Sequence, residues 1–180
     1  MASIAAPIHR LSVEDVHRMV AAGVLEENDR VELVEGVLFD MVPIGAEHDG
    51  AVEWLTNHFG GAATETWRVR VQSMLLVAGG FVLPDVLLVA RLPRSALPAT
   101  AHLVIEVAQT SQARDREKAR DYALADAPEY WIVDVPGRTV HVHRHPLAGA
   151  YRDHETFTDG GSIKPLLADA PAVDVSALLG

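Results

Sequence analysis

Hydrophobic positions follow two rhythms along this chain, and the switches between them outline its elements. Val13, Val16, Met19 and Val20 recur at helical spacing behind Ser12, whose successors Glu14 and Asp15 suit a capped start; Gly23 marks the end. Val31 to Val42 reads as a hairpin, Val-Glu-Leu-Val answered by Val-Leu-Phe-Asp-Met-Val, turning at Glu35-Gly36. Ala46 to Phe59 returns to helical spacing through His48, Val52 and Leu55, and Gly60-Gly61 closes it. Strands are predicted over Trp67 to Val77, Phe81 to Ala90 with an interruption at Pro84, and His102 to Ala108. Gln112 to Asp126 predicts a helix stopped at Ala127-Pro128. Tyr130 to Val135 and Thr139 to His145 predict an antiparallel pair around Pro136-Gly137. From Tyr151 onward the pattern is short strand and turn, with Val173 to Leu179 as a terminal cap.

The order α, ββ, α, strands, α, strands predicts an α/β or α+β fold, a central mixed sheet flanked by helices. The chain has 180 residues, no internal repeat and no linker, so the expected organisation is a tail over residues 1–10 and one domain over residues 11–180. A 49% hydrophobic content builds an ordinary core. With no cysteine, a disulfide framework, a thiolate metal site and a cysteine nucleophile are excluded. The apolar run Met74 to Leu92 is broken by Gly79, Gly80, Pro84 and Asp85 and predicts no membrane span. The first residues carry no secretory pattern, so a cytoplasmic location is expected.

Charge changes the picture in one respect. The formal net charge is −10, unlike a protein that lives by phosphate attraction. Residues 1–60 carry net −8 and residues 121–180 net −5, but the middle third carries net +3. An anionic substrate is expected to meet the segment from Glu65 to Arg120.

Two acids sit in apolar company: Asp85 within Phe-Val-Leu-Pro-Asp-Val-Leu-Leu-Val, and Glu106 within Leu-Val-Ile-Glu-Val-Ala. A buried, unpaired carboxylate costs several kcal/mol as a rule, and a divalent cation between two of them offsets that cost. Hard cations such as magnesium prefer such oxygens. Asp115, Lys118 and Tyr122, at i, i+3 and i+7, share a helical face. If that face packs beside the Glu106 strand, Lys118 reaches a metal-bound water or a phosphate. Metal-bound carboxylates and an ammonium are what phosphodiester hydrolysis needs.

These residues also carry a resemblance. Glu-Leu-Val-Glu-Gly (32–36), a helix-borne His48, Pro84-Asp85 before an apolar strand, and Val-Ile-Glu-Val (104–107) occur in order. Asp115, Lys118, Tyr122 and Pro-Glu-Tyr-Trp-Ile-Val-Asp (128–134) follow. Together they resemble the Uma-two group of restriction endonucleases in the PD-(D/E)XK nuclease superfamily, over about residues 11–179. The resemblance implies a restriction-endonuclease-like core and a magnesium-dependent endonuclease acting on DNA, with manganese as an alternative metal. It implies Asp85 and Glu106 as metal ligands, Glu35 as a further acid, and Lys118 as the catalytic lysine, moved from the position held here by Ala108. His48, Asp115 and Tyr122 are implied substrate or supporting residues. A homodimer is compatible with it.

Plainer readings stand beside these. Asp85 and Glu35 suit turns, Lys118 a solvated face, Tyr122 simple packing and His48 a helix surface. His141, His143 and His145 alternate, which predicts one strand face, solvated or metal-binding. A catalytically inactive interaction module of the same fold is the competing function. Its support is the acidic surface and the segment Ala108-Gln109-Thr110-Ser111, which lacks the proline of the family's usual turn.

Overall fold

The computed structural model describes residues 8–26, 28–41, 45–108 and 112–180, with backbone alone over 112–117. In chain order the elements are α1 (Val13–Ala21), β1 (Val31–Val34), β2 (Val37–Asp40), α2 (Ala46–Gly60), β3 (Trp67–Val71), β4 (Leu75–Val77), β5 (Gly80–Val82), β6 (Val86–Ala90) and β7 (Leu103–Ala108). Then come α3 (Gln112–Leu124), β8 (Glu129–Asp134), β9 (Thr139–Leu147), β10 (Ala150–Thr158), β11 (Ser162–Ile163), β12 (Val173–Asp174) and α4 (Val175–Leu179).

Six strands form the main sheet in the order β10-β9-β8-β7-β6-β3. Its one parallel pair, β7 with β8, is joined through α3, as a parallel connection requires. The neighbouring pairs are antiparallel, so the sheet is mixed. Alternation in the two central strands sorts their side chains. Leu103, Ile105 and Val107 of β7, with Val86 and Leu88 of β6, pack with Val52, Leu55 and Phe59 of α2. Val104 and Ala108, with Leu87 and Val89, pack with Tyr122 and Ala123 of α3. Both faces are therefore covered, which explains why these strands read as near-continuous apolar runs.

A second sheet, β2-β1-β5-β4, carries the hairpin, and its Val31, Leu33 and Phe81 pack with Val16 of α1. Ser12 caps α1 in a reciprocal pair with Asp15, as the sequence predicted.

Two expectations are corrected and one is extended. Trp67 to Val77 is two strands in different sheets, broken where Gln72 takes φ 43°. Phe81 to Ala90 is interrupted at Pro84 as expected, and the two pieces, β5 and β6, belong to different sheets. The stretch after Tyr151 is not short strand and turn at its start: β10 has nine residues and pairs along β9. Its Asp153, His154, Glu155 and Thr156 are all exposed, so no alternation marked it.

Candidate active site

β6 and β7 pair with Val86 opposite Ile105. Asp85 lies in the bend immediately before β6, and its carboxylate accepts from the N–H of Val107, the residue after Glu106 on β7. Glu106 faces α3, because Val104 and Ala108 point there and it lies between them, whereas Asp85 is reached by His48 of α2. Both acids are buried, at 5% and 4% exposure.

Each is held by named partners. The Val107 N–H donates to Asp85 Oδ2 at 2.9 Å, and His48 Nε2 lies 3.0 Å from the same oxygen. Both hydrogen bonds to Asp85 among the described residues fall on Oδ2, leaving Oδ1 as the available donor atom toward a cation. Glu106 Oε1 accepts from Lys118 Nζ at 2.9 Å and from the Tyr122 hydroxyl. Lys118 and Tyr122 are one helical turn apart on α3, so one helix face delivers both to the same oxygen.

Lys118 Nζ also donates to Glu32 Oε1 at 2.9 Å, and the Leu83 N–H donates to that oxygen at 3.1 Å. Glu32 is fully buried in β1. Val31 and Leu33 on either side of it pack toward α1, so alternation turns Glu32 to the other face, toward α3.

The electrostatics follow from these contacts. Burial disfavours the Lys118 ammonium, but Glu106 and Glu32 outweigh it and raise the lysine above its ordinary value. Burial likewise disfavours a charged His48, yet the hydrogen bond and charge of Asp85 leave it raised. Burial and the nearby Glu106 push the Tyr122 phenol well up, so it serves as a hydrogen-bond donor. Half-buried Asp121, beside Tyr122, is raised by burial, with Arg120 opposing and Glu35 and Glu32 adding to the shift.

The structure therefore gathers His48, Asp85, Glu106, Lys118 and Tyr122 from the residues singled out in the sequence. Glu35 is not in the cluster. It occupies the hairpin turn at φ 47°, its side chain is 58% exposed, and its carboxylate lies 3.4 Å from Arg120. The acid that enters is Glu32, three residues earlier. The signal for it was the same as for Glu106, an acid inside an apolar strand, whereas Glu35 precedes the glycine of a turn. The Asp115 side chain and residues 109–111 lie outside the described residues.

Asp85 and Glu106 suit a hard divalent cation: the two buried carboxylates, both close enough to act on the charge of His48, supply oxygen donors, and their mutual repulsion falls when a cation lies between them. Among the described residues, no group of three or more His, Asp or Glu side chains forms a ready metal cluster. A two-carboxylate site leaves the other coordination positions to water or substrate oxygens, as magnesium favours.

The histidine run lies elsewhere. His143 Nδ1 meets His154 Nδ1 at 2.6 Å and its ring stacks on Tyr130. His145 takes φ 57° and pairs with Asp153 instead. Asp153 and His154 are successive strand residues and point to opposite faces, so the three histidines do not share one face as alternation predicted. Lys164 donates to the carbonyls of Ala168 and Ala170, a structural tie.

Comparison with known proteins adds the following. Residues 13–174 match a family described as Uma2, putative restriction endonuclease. A crystal structure of a putative nuclease belonging to DUF820, from Anabaena variabilis, superposes with a TM-score of 0.78 at 16% sequence identity. The match covers 96% of this chain and 98% of that one, and establishes a common fold, a mixed sheet with flanking helices. No curated protein matches the chain. No helix among the described residues is long and apolar enough to cross a membrane.

Proposed function

Because this chain belongs to the Uma2 family of putative restriction endonucleases, we propose that it is a divalent-metal-dependent endonuclease hydrolysing phosphodiester bonds in DNA. The observation that carries this reading is Lys118, a buried ammonium shared by Glu32 and Glu106, one strand away from Asp85.

In this reading Asp85 and Glu106 hold magnesium, with manganese as a substitute. The bound metal supplies a water of lowered pKa and neutralises charge on the phosphate. The protein's own groups do the positioning. His48 and the Val107 N–H fix the Asp85 carboxylate. Tyr122 and Lys118 fix that of Glu106. Glu32 anchors the ammonium, which remains charged and so favours the negative charge that develops as the phosphate is attacked. The site is buried, which strengthens each of these interactions over its value in water.

A binding-only module is the rival reading. The feature favouring it is that Lys118 already joins Glu32 to Glu106, a network that serves stability without chemistry. Titration calorimetry with magnesium and manganese separates the two. The nuclease reading expects binding to the wild type and loss of that binding in the folded Asp85→Ala/Glu106→Ala variant. Equal heats from both proteins, or none from the wild type with duplex DNA added, would refute the metal site.

A further inference from the structure

Between Glu65 and Glu106 the chain carries four arginines, Arg68, Arg70, Arg91 and Arg94, and one acid, Asp85. In a chain of net −10 this is a local reversal of sign, and the fold gathers it in one place. β3 is the edge strand of the main sheet. Arg68 and Arg70 pair in register with Val89 and Leu87 of β6. Leu87 and Val89 point to the α3 side, so the two arginines lie on the sheet face that bears Glu106. Arg68 donates to the Leu92 carbonyl and Arg70 to the Ala96 carbonyl, which draws the loop after β6 against the same edge. That loop carries Arg91 and Arg94, both exposed. The edge also leads to the site: the residue after β3, Gln72, donates its N–H to the Asp85 carbonyl at 3.0 Å.

Among the described residues none of the four makes a salt bridge, although Glu65 is next to the start of β3. By contrast, Arg138 and Arg144 elsewhere are paired with carboxylates. Arg70 is lowered by its burial and by the neighbouring Arg68, the mark of positive charges brought together without a counter-charge.

We infer that the β3 edge and the loop after β6 form a phosphate track that lays the backbone of duplex DNA against the sheet and leads it to Asp85 and Glu106. The inference rests on the nuclease reading and adds the surface that receives the substrate. Guanidinium groups match phosphate oxygens in geometry, and each phosphate neutralised contributes to the salt dependence of binding. Arginines on an edge strand also guard it against pairing with another sheet. That protective role alone would leave DNA affinity untouched by substitution.

The test is the affinity of the full chain for a short DNA duplex across a salt series, with chelator present so that metal and cleavage play no part. Arg91→Gln/Arg94→Gln removes the exposed pair, of which Arg91 also donates to the Thr64 carbonyl at 2.8 Å, and spares Arg68 and Arg70. Arg94→Lys keeps its charge, and Arg152→Gln removes an exposed arginine on β10, outside the patch. The expected result is a log affinity against log salt slope shallower by about 0.9 for each neutralised arginine that contacts a phosphate. Arg94→Lys and Arg152→Gln should keep the wild-type slope. A wild-type slope in the double variant, or no duplex binding by the wild type at low salt, overturns the track. Arginine-dependent binding without any metal-dependent cleavage would instead uphold the track and sink the nuclease reading.

Discussion

Removing Lys118 would leave Glu32 and Glu106, both buried, without the ammonium they share. Breaking a buried ion pair from one side costs more than its formation contributes, because the remaining charge stays desolvated. Lys118→Met is therefore expected to lower stability by about 3 kcal/mol in chemical denaturation. Wild-type stability in that variant would mean that the two carboxylates do not depend on the lysine. At this scale much of the cluster was legible in advance. Asp85 and Glu106 stood out because an acid in an apolar strand demands a partner, and Lys118 because it lies one helical turn from Asp115 and from Tyr122. Glu35 was preferred through the resemblance. The turn conformation at Glu35 and the strand alternation at Glu32 bring Glu32 rather than Glu35 beside Lys118, and both were written in Val-Glu-Leu-Val-Glu-Gly.

Between elements, the second sheet matters because it delivers Glu32. β1 meets β5 through Leu33 opposite Phe81, next to Gly80. A Cβ built on Gly80 would stand 1.8 Å from the Leu33 carbonyl oxygen, a backbone atom that cannot swing aside. Gly80→Ala is expected to force β5 from β1, to lower the thermal midpoint, and to reduce activity by displacing Glu32 from Lys118. An alanine variant as stable and active as the wild type would show that this contact does not position the acid. The helices and the hairpin could be read from period and caps, since those signals are local. The sheet assignments could not. β3 and β4, or β5 and β6, share one apolar rhythm, and only long-range pairing decides that the chain leaves the main sheet after β3 and returns at β6.

For the whole molecule, a net charge of −10 pulls against the phosphodiester substrate of the proposed reading. Their reconciliation lies in where the charge sits. The acids are concentrated in the first and last thirds, and four arginines without a carboxylate partner among the described residues lie along the β3 edge and the loop after β6. The two sheets and their helices bring together α2, β1, β6, β7 and α3, which are separated in sequence, and each gives the cluster at least one side chain or the strand position before it. Cleavage of duplex DNA by the wild type and by Glu106→Gln, each checked for folding by circular dichroism and assayed with and without magnesium, tests the central claim most directly. Magnesium-dependent cleavage by the wild type and its loss in the folded variant is the predicted result. Undiminished cleavage by a folded Glu106→Gln protein, or none by the wild type with any divalent metal, would contradict the account.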